Sequence, residues 1–149
     1  MDTLKITLIG GPTALLEVGG LRVLTDESIA GEVIGFVISI EKGEPLVYVT
    51  GGTVWYDVVA EVAKRFPVKV VVLFAGAAQA RGPFHLTMDT NDALETAAHF
   101  QGAAIVPVDT EGWQHFKQSQ EDMVNAFAAL GVADRLHPLR PGIPLSLEI

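Results

Sequence analysis

The sequence contains no cysteine, which excludes a disulfide framework, a thiolate zinc site and a cysteine nucleophile, and makes the cytoplasm the simplest compartment to expect. Positive charge is also scarce. Ten Lys and Arg stand against eighteen Asp and Glu, giving a net charge of −8 and a pI near 4.8. Binding to a phosphate backbone needs clustered basic residues, and here they are scattered, so no nucleic-acid partner is expected. No apolar run approaches the ~20 uncharged residues of a membrane helix, because Lys69 and Arg81 bracket VVVLFAGAAQA. Asp2 stands where a signal peptide would carry positive charge, so no membrane partner is expected either. No G-x-S-x-G occurs, and Ser28, Ser39, Ser119 and Ser146 have no nucleophile-elbow setting. The glycine-rich turns lack a Walker lysine, and Gly10-Gly11-Pro12 is not a dinucleotide fingerprint.

What is present is apolar patterning. Hydrophobic residues make up 49% of 149 residues and mean hydropathy is +0.36, which argues for a packed globule rather than a disordered chain. With no linker or low-complexity tract, residues 1–149 read as a single domain. Leu4 to Ile9 alternates as a first strand, with Leu4, Ile6 and Leu8 on one face. Ala14–Val18 and Leu21–Thr25 flank Gly19-Gly20, a favoured two-residue hairpin loop. The chain thus opens as an antiparallel meander. After a polar connection at Asp26–Gly31, Val33 to Ile40 reads as a strand buried on both faces, with Gly35 marking a bulge or close packing. Strand–helix units follow. Val68–Phe74 is a buried strand, and the small, flexible Ala75–Pro83 is a loop at its end. Thr87 caps a helix from Met88 to about Phe100, with Asp89 and Asp92 in its first turn, where the helix dipole favours acids. Ala103–Val108 is a further strand, Phe116 to Leu130 a third helix with Gln120, Met123, Phe127 and Leu130 on one face, and Leu145–Ile149 an edge strand.

One stretch organises the α/β part. Leu46 to Phe66 runs from a β-branched strand through Gly51-Gly52 directly into an amphipathic helix, with Val54, Val58, Val62 and Phe66 at helical spacing and Val59 widening the stripe. A strand–glycine–helix turn lies at a sheet's C-terminal edge, where α/β folds keep ligands. Unpaired N–H groups at the helix start would make Gly52-Thr53 an anion-binding candidate.

Several strings, in order, carry a family likeness: LKITLIGGPTALLEVGGLRVLTD, VIGFVISI, VYVTGGTVWYD, FHLTMD and IVPVDTEGWQHF. Together they resemble a metallo-β-lactamase-fold, metal-dependent hydrolase of the UlaG-like branch. The likeness implies an αββα sandwich, zinc at the sheet edge and hydrolysis by metal-bound hydroxide. The departures fall on the ligand positions. Asp26 matches an Asp of the family, but the block with the His-x-His-x-Asp-His signature does not follow it, and neither does the histidine expected before VIGFVISI. The family's Ser-Gly-Asp-Thr turn reads Thr50-Gly51-Gly52-Thr53, with Gly52 in the place of the bridging carboxylate, and the late histidine is Asp109.

A catalytic zinc needs about three protein ligands and an open position for water, and without it the water pKa is not lowered. The expectation is therefore an α/β fold, a truncated metallo-β-lactamase-like sandwich. Its function reads as a non-catalytic, degenerate or engineered derivative of a zinc hydrolase, with no cofactor expected. One alternative is a metal-dependent hydrolase rebuilt around His85, Asp109 and Asp26; another is a small-anion module at Gly52-Thr53. Asp109 by itself reads as a solvated loop carboxylate that could hold a cation weakly with Glu111. His85 reads as a half-buried imidazole, His99 as a surface partner of Glu95, and His115 as packing. Shortening one sheet would expose an apolar face, so a homo-oligomer is the expected partner state.

Overall fold

A computed structural model describes residues 3–10, 13–25, 34–39, 44–80 and 82–149. Asp26, with the rest of the 26–33 connection, lies outside the described residues, as do Gly11, Pro12 and the 40–43 turn.

The first sheet has strand order β3-β2-β1-β8. Strands β1 (Thr3–Gly10), β2 (Thr13–Val18) and β3 (Leu21–Leu24) form the meander, all antiparallel. Gly19 and Gly20 have φ of 53° and 79°, the mirror-image turn that matches strand twist and that only glycine enters without strain. The last strand, β8 (Leu145–Glu148), pairs with β1 as an edge strand. The second sheet has order β4-β5-β6-β7. Its members are β4 (Phe36–Ser39), β5 (Pro45–Val49), β6 (Val70–Phe74) and β7 (Ala104–Val108); β4 is antiparallel to β5, and β5, β6 and β7 are parallel.

The sheets pack face to face through Leu4, Ile6, Ala14 and Leu16 on one side and Val47, Val49, Val70, Val72 and Phe74 on the other. The period of two sends Tyr48, Val71, Leu73 and Ile105 to the opposite face of the second sheet, where the helices cover it. These are α1 (Asp57–Arg65), α2 (Thr90–His99) and α3 (Gln120–Ala129). They contribute Val59, Ala93, Ala97, Met123 and Phe127 to that second core. The order of layers is sheet, sheet, helices. Among the described residues no helix covers the outer face of the first sheet, and no helix is long and apolar enough to cross a membrane.

Several sequence expectations shift by a turn or a face. All three helices begin later than their patterns predict. The chain does not enter α1 directly from Gly52, because the Trp55 amide donates to Asp92 Oδ2 at 3.2 Å and pins the connection to α2. The buried seam of α1 is Val59 with Val62 and Ala63 beside it, whereas Val58 and Phe66 are exposed. Thr87 does not cap α2. Its Oγ1 accepts from the Ala78 amide at 2.9 Å, while Asp89 accepts from Asp92 N at 2.8 Å and is the cap. Ser119 and Asp122 form a capping box that sets the start of α3, and the residues before it are drawn aside as Lys117 N donates to Gly76 O at 3.0 Å. Met123 and Phe127 are buried as expected, but Leu130 is exposed. The strand at Phe36–Ser39 is an edge, with Phe36 exposed, rather than buried on both faces. Gly35 is a close-packing position, since a β-carbon there would stand 2.9 Å from Thr50 O.

Candidate functional site

The three parallel strands end at one edge of the second sheet, and the connection leaving each contains a left-handed residue: Gly51 (φ 67°), Ala77 (φ 49°) and Asp109 (φ 57°). Ala77 and Asp109 are the non-glycine residues with positive φ among those described. Such strained positions persist where surrounding bonds over-determine them, and the Ala77 amide donates to Met88 O at 3.0 Å. Asp is among the few side chains enriched in this conformation.

Gly52 and Thr53 line a cavity of about 160 Å³ with Tyr48, Thr50 and Tyr56. The turn closes on itself: Thr53 N donates to Gly51 O at 2.9 Å and Thr53 Oγ1 to Val54 O at 3.1 Å. Because α1 begins at Asp57, Gly52-Thr53 is not a helix N-terminus, and the premise on which it was an anion candidate is corrected. Burial, helped by nearby Tyr56, pushes the Tyr48 phenol up to about 12, so it stays a neutral hydroxyl. Its ring stacks on Phe100 with centroids 5.4 Å apart.

Asp109 lies beside a different cavity, of about 220 Å³, between the second sheet's edge and the first sheet. Leu8 comes from β1, Leu139 and Pro141 from the C-terminal segment, and Glu111 from the loop after β7. The expectation of a solvated carboxylate is overturned: Asp109 is 7% exposed, following the buried residues Ile105–Val108 of β7, and its carbonyl packs against Gly76. Among the described residues its side chain has no hydrogen-bond or ion-pair partner. Burial raises its pKa from 3.8 to about 6. Thr90 Oγ1 is the one sealed, unpaired side-chain atom among the described residues, so the Asp109 carboxylate is not sealed, and Asp109 lines the cavity.

His85 is half-buried and its Nδ1 stands 3.6 Å from Asp89 Oδ2; it lines neither cavity. His99 meets Glu95 as expected, through Nδ1 and Glu95 O at 2.9 Å, and also packs against the Trp55 ring at 4.6 Å. His115 packs between Trp113 and Phe116. The structure thus brings Asp109 and Glu111 together and keeps Gly52, Thr53 and His85 apart from them. Among the described residues no three His, Cys, Asp or Glu side chains come close enough to hold a metal ion, so these residues do not fit the zinc centre that the family likeness implies. Tyr48, Tyr56 and the Leu139 wall were missed by sequence reasoning. Tyr48 reads only as a strand residue, and Leu139 lies in a Pro-interrupted tail with no periodicity to place it.

No family model matches the chain. A curated relative, the UPF0173 protein YddR of Bacillus subtilis (strain 168), is 29% identical over 98 residues, spanning 66% of this chain and 38% of the relative. The isothiocyanate hydrolase from Delia radicum gut bacteria superposes with a TM-score of 0.68 at 23% identity, over 74% of this chain and 42% of that one. A possible metal-dependent hydrolase from Veillonella parvula DSM 2008 gives 0.65 at 18%, over 91% and 43%. Igni18, a metallo hydrolase from Ignicoccus hospitalis KIN4/I, gives 0.74 at 13% over 99% of each chain. The chain therefore spans well under half of the curated relative's length, and 99% of the length in the comparison with Igni18. Two face-to-face sheets with helices on the second, in the strand order described, give this chain the fold of the metallo-β-lactamase-type, metal-dependent hydrolases.

Proposed function

We propose that this chain is a non-catalytic derivative of the zinc-dependent hydrolases whose fold it shares, keeping the sheet-edge cleft without a metal-activated water. The observation that carries the reading is the division of the edge. The two positions matched to family ligands, Gly52 and Asp109, line separate cavities, and one of them has no side chain to offer. A zinc ion that activates water needs about three converging donors. A cytoplasmic setting belongs to the reading and is supported by the lack of cysteine. So does a homodimer across the first sheet, whose outer face carries Leu24 at 62% exposure beside the Lys5–Glu17–Arg22 ion pairs.

The test is elemental analysis after purification, loading with zinc, manganese and iron in turn, and dialysis. The expected result is far less than one metal per chain. Stoichiometric retention of any of the three would overturn the reading and favour the hydrolase rebuilt around Asp109, His85 and Asp26. Light scattering at micromolar concentration is expected to show a dimer, and a monomer would remove that part of the reading.

A further inference from the structure

We propose that the cavity beside Asp109 is a binding site for a small organic cation, a primary alkylammonium, held by the Asp109 carboxylate. Three features of the cavity converge on that chemistry. Its inner acid is 7% exposed and has no partner among the described residues, so it lacks the compensation that a buried carboxylate ordinarily has. Glu111 adds a second, exposed acid at the rim. Leu8, Leu139 and Pro141 form an apolar side of the space, and Gly10, Thr110, Gly112 and Gln120 complete its lining.

A bare divalent ion is a poor fit for that lining. Two carboxylates are fewer than the donors a metal gathers, and Leu8, Leu139 and Pro141 give it nothing. The Gln120 amide is already committed, with Nε2 donating to Leu139 O and Oε1 accepting from Leu139 N, both at 3.1 Å. An inorganic anion is excluded by the two acids. An alkylammonium satisfies both halves at once: its N–H groups donate to Asp109, and its carbon chain covers Leu8, Leu139 and Pro141. A volume of about 220 Å³ admits a chain of a few carbons. The net charge of −8 concentrates cations around the protein.

The proposal rests on the absence of a metal centre at this edge, and the experiment separates the two. The full chain is titrated with n-butylammonium chloride, with n-butanol as the neutral isostere and with zinc chloride, followed by amide NMR shifts. n-Butylammonium is expected to shift amides around Asp109 and Glu111 and to bind about tenfold or more tighter than n-butanol, the value of one charge-assisted hydrogen bond. Asp109→Asn is expected to reduce the affinity for n-butylammonium to that for the alcohol, while Asn keeps the left-handed backbone. Equal affinity for amine and alcohol would overturn the proposal without any variant. So would shifts located elsewhere, or unchanged affinity in Asp109→Asn. No response to n-butylammonium with no uptake of zinc overturns this proposal alone, whereas stoichiometric zinc at Asp109 overturns it together with the non-catalytic reading.

Discussion

The carbonyl oxygen of Asp109 occupies the space that a β-carbon on Gly76 would need, and the Phe116 ring closes the same space from the other side. Gly76 O in turn accepts from Lys117 N and Gln118 N at 3.0 and 3.3 Å. The exits of β6 and β7 are thereby fastened backbone to backbone. Gly76→Ala is expected to destabilise the fold by about 1–3 kcal/mol, the range for overpacking a tight site. Urea denaturation measures it, and an unchanged midpoint would show that the two loops separate freely.

Asp109 makes stability depend on pH with a definite sign. Its folded pKa is about 6 against an ordinary 3.8, so the native state favours the protonated form. That contribution is fully present below about pH 4 and is lost as pH rises toward 6. Asp109→Asn removes the buried charge and is expected to stabilise the protein by about 1–3 kcal/mol at pH 7.5, after allowing for the cavity's opening to water. The gain should shrink toward zero near pH 4. Thermal melts at both pH values test this, and a gain independent of pH would contradict it.

Arg135 is committed to structure. From a 3-10 turn at Ala133–Arg135 its guanidinium donates to Ala97 O, Phe100 O and Ala103 O, at distances from 2.6 to 3.1 Å. These are carbonyls at the end of α2 and just beyond, where a cation is favoured. Arg135→Met keeps the stem and removes the donors, and should destabilise by about 1–3 kcal/mol. Arg135→Lys should recover only part of this, because one ammonium cannot reproduce the planar fork. Full recovery by lysine would mean that charge alone matters.

The capping box at the start of α3 offers a local control. Ser119→Ala removes the acceptor for Asp122 N at 3.3 Å and the donor to Asp122 Oδ2 at 2.9 Å. A loss of about 1 kcal/mol is expected, with no change in the pH dependence set by Asp109. A variant with altered pH dependence would link α3 to the cavity acid.

The strands were legible because their periods are strict. Leu4 and Ile6 are fully buried, as alternation requires, and β5 to β7 are parallel beneath their helices. Helix starts were less legible, since Asp92 and Gly76 act on residues far away in sequence and pull Trp55 and Lys117 out of helical patterns. At the edge, the order of the family-like strings located Gly52 and Asp109, but nothing in the sequence tells whether an acid after a strand is solvated. Its carbonyl packs against Gly76, and the cavity it lines is shared with Leu8 and Leu139, residues that meet it only in three dimensions.

The left-handed backbone at position 109 also governs which genetic changes the edge can absorb. At φ 57° a β-branched or bulky side chain is penalised, while Gly, Asn, Asp and His are accommodated. That short alphabet includes both the acid found here and the histidine that the family likeness puts in its place. An exchange between them rewrites the chemistry at the mouth of the cleft while the turn beneath stays as it is. At this position, the choice of ligand and the stability of the chain path can vary independently.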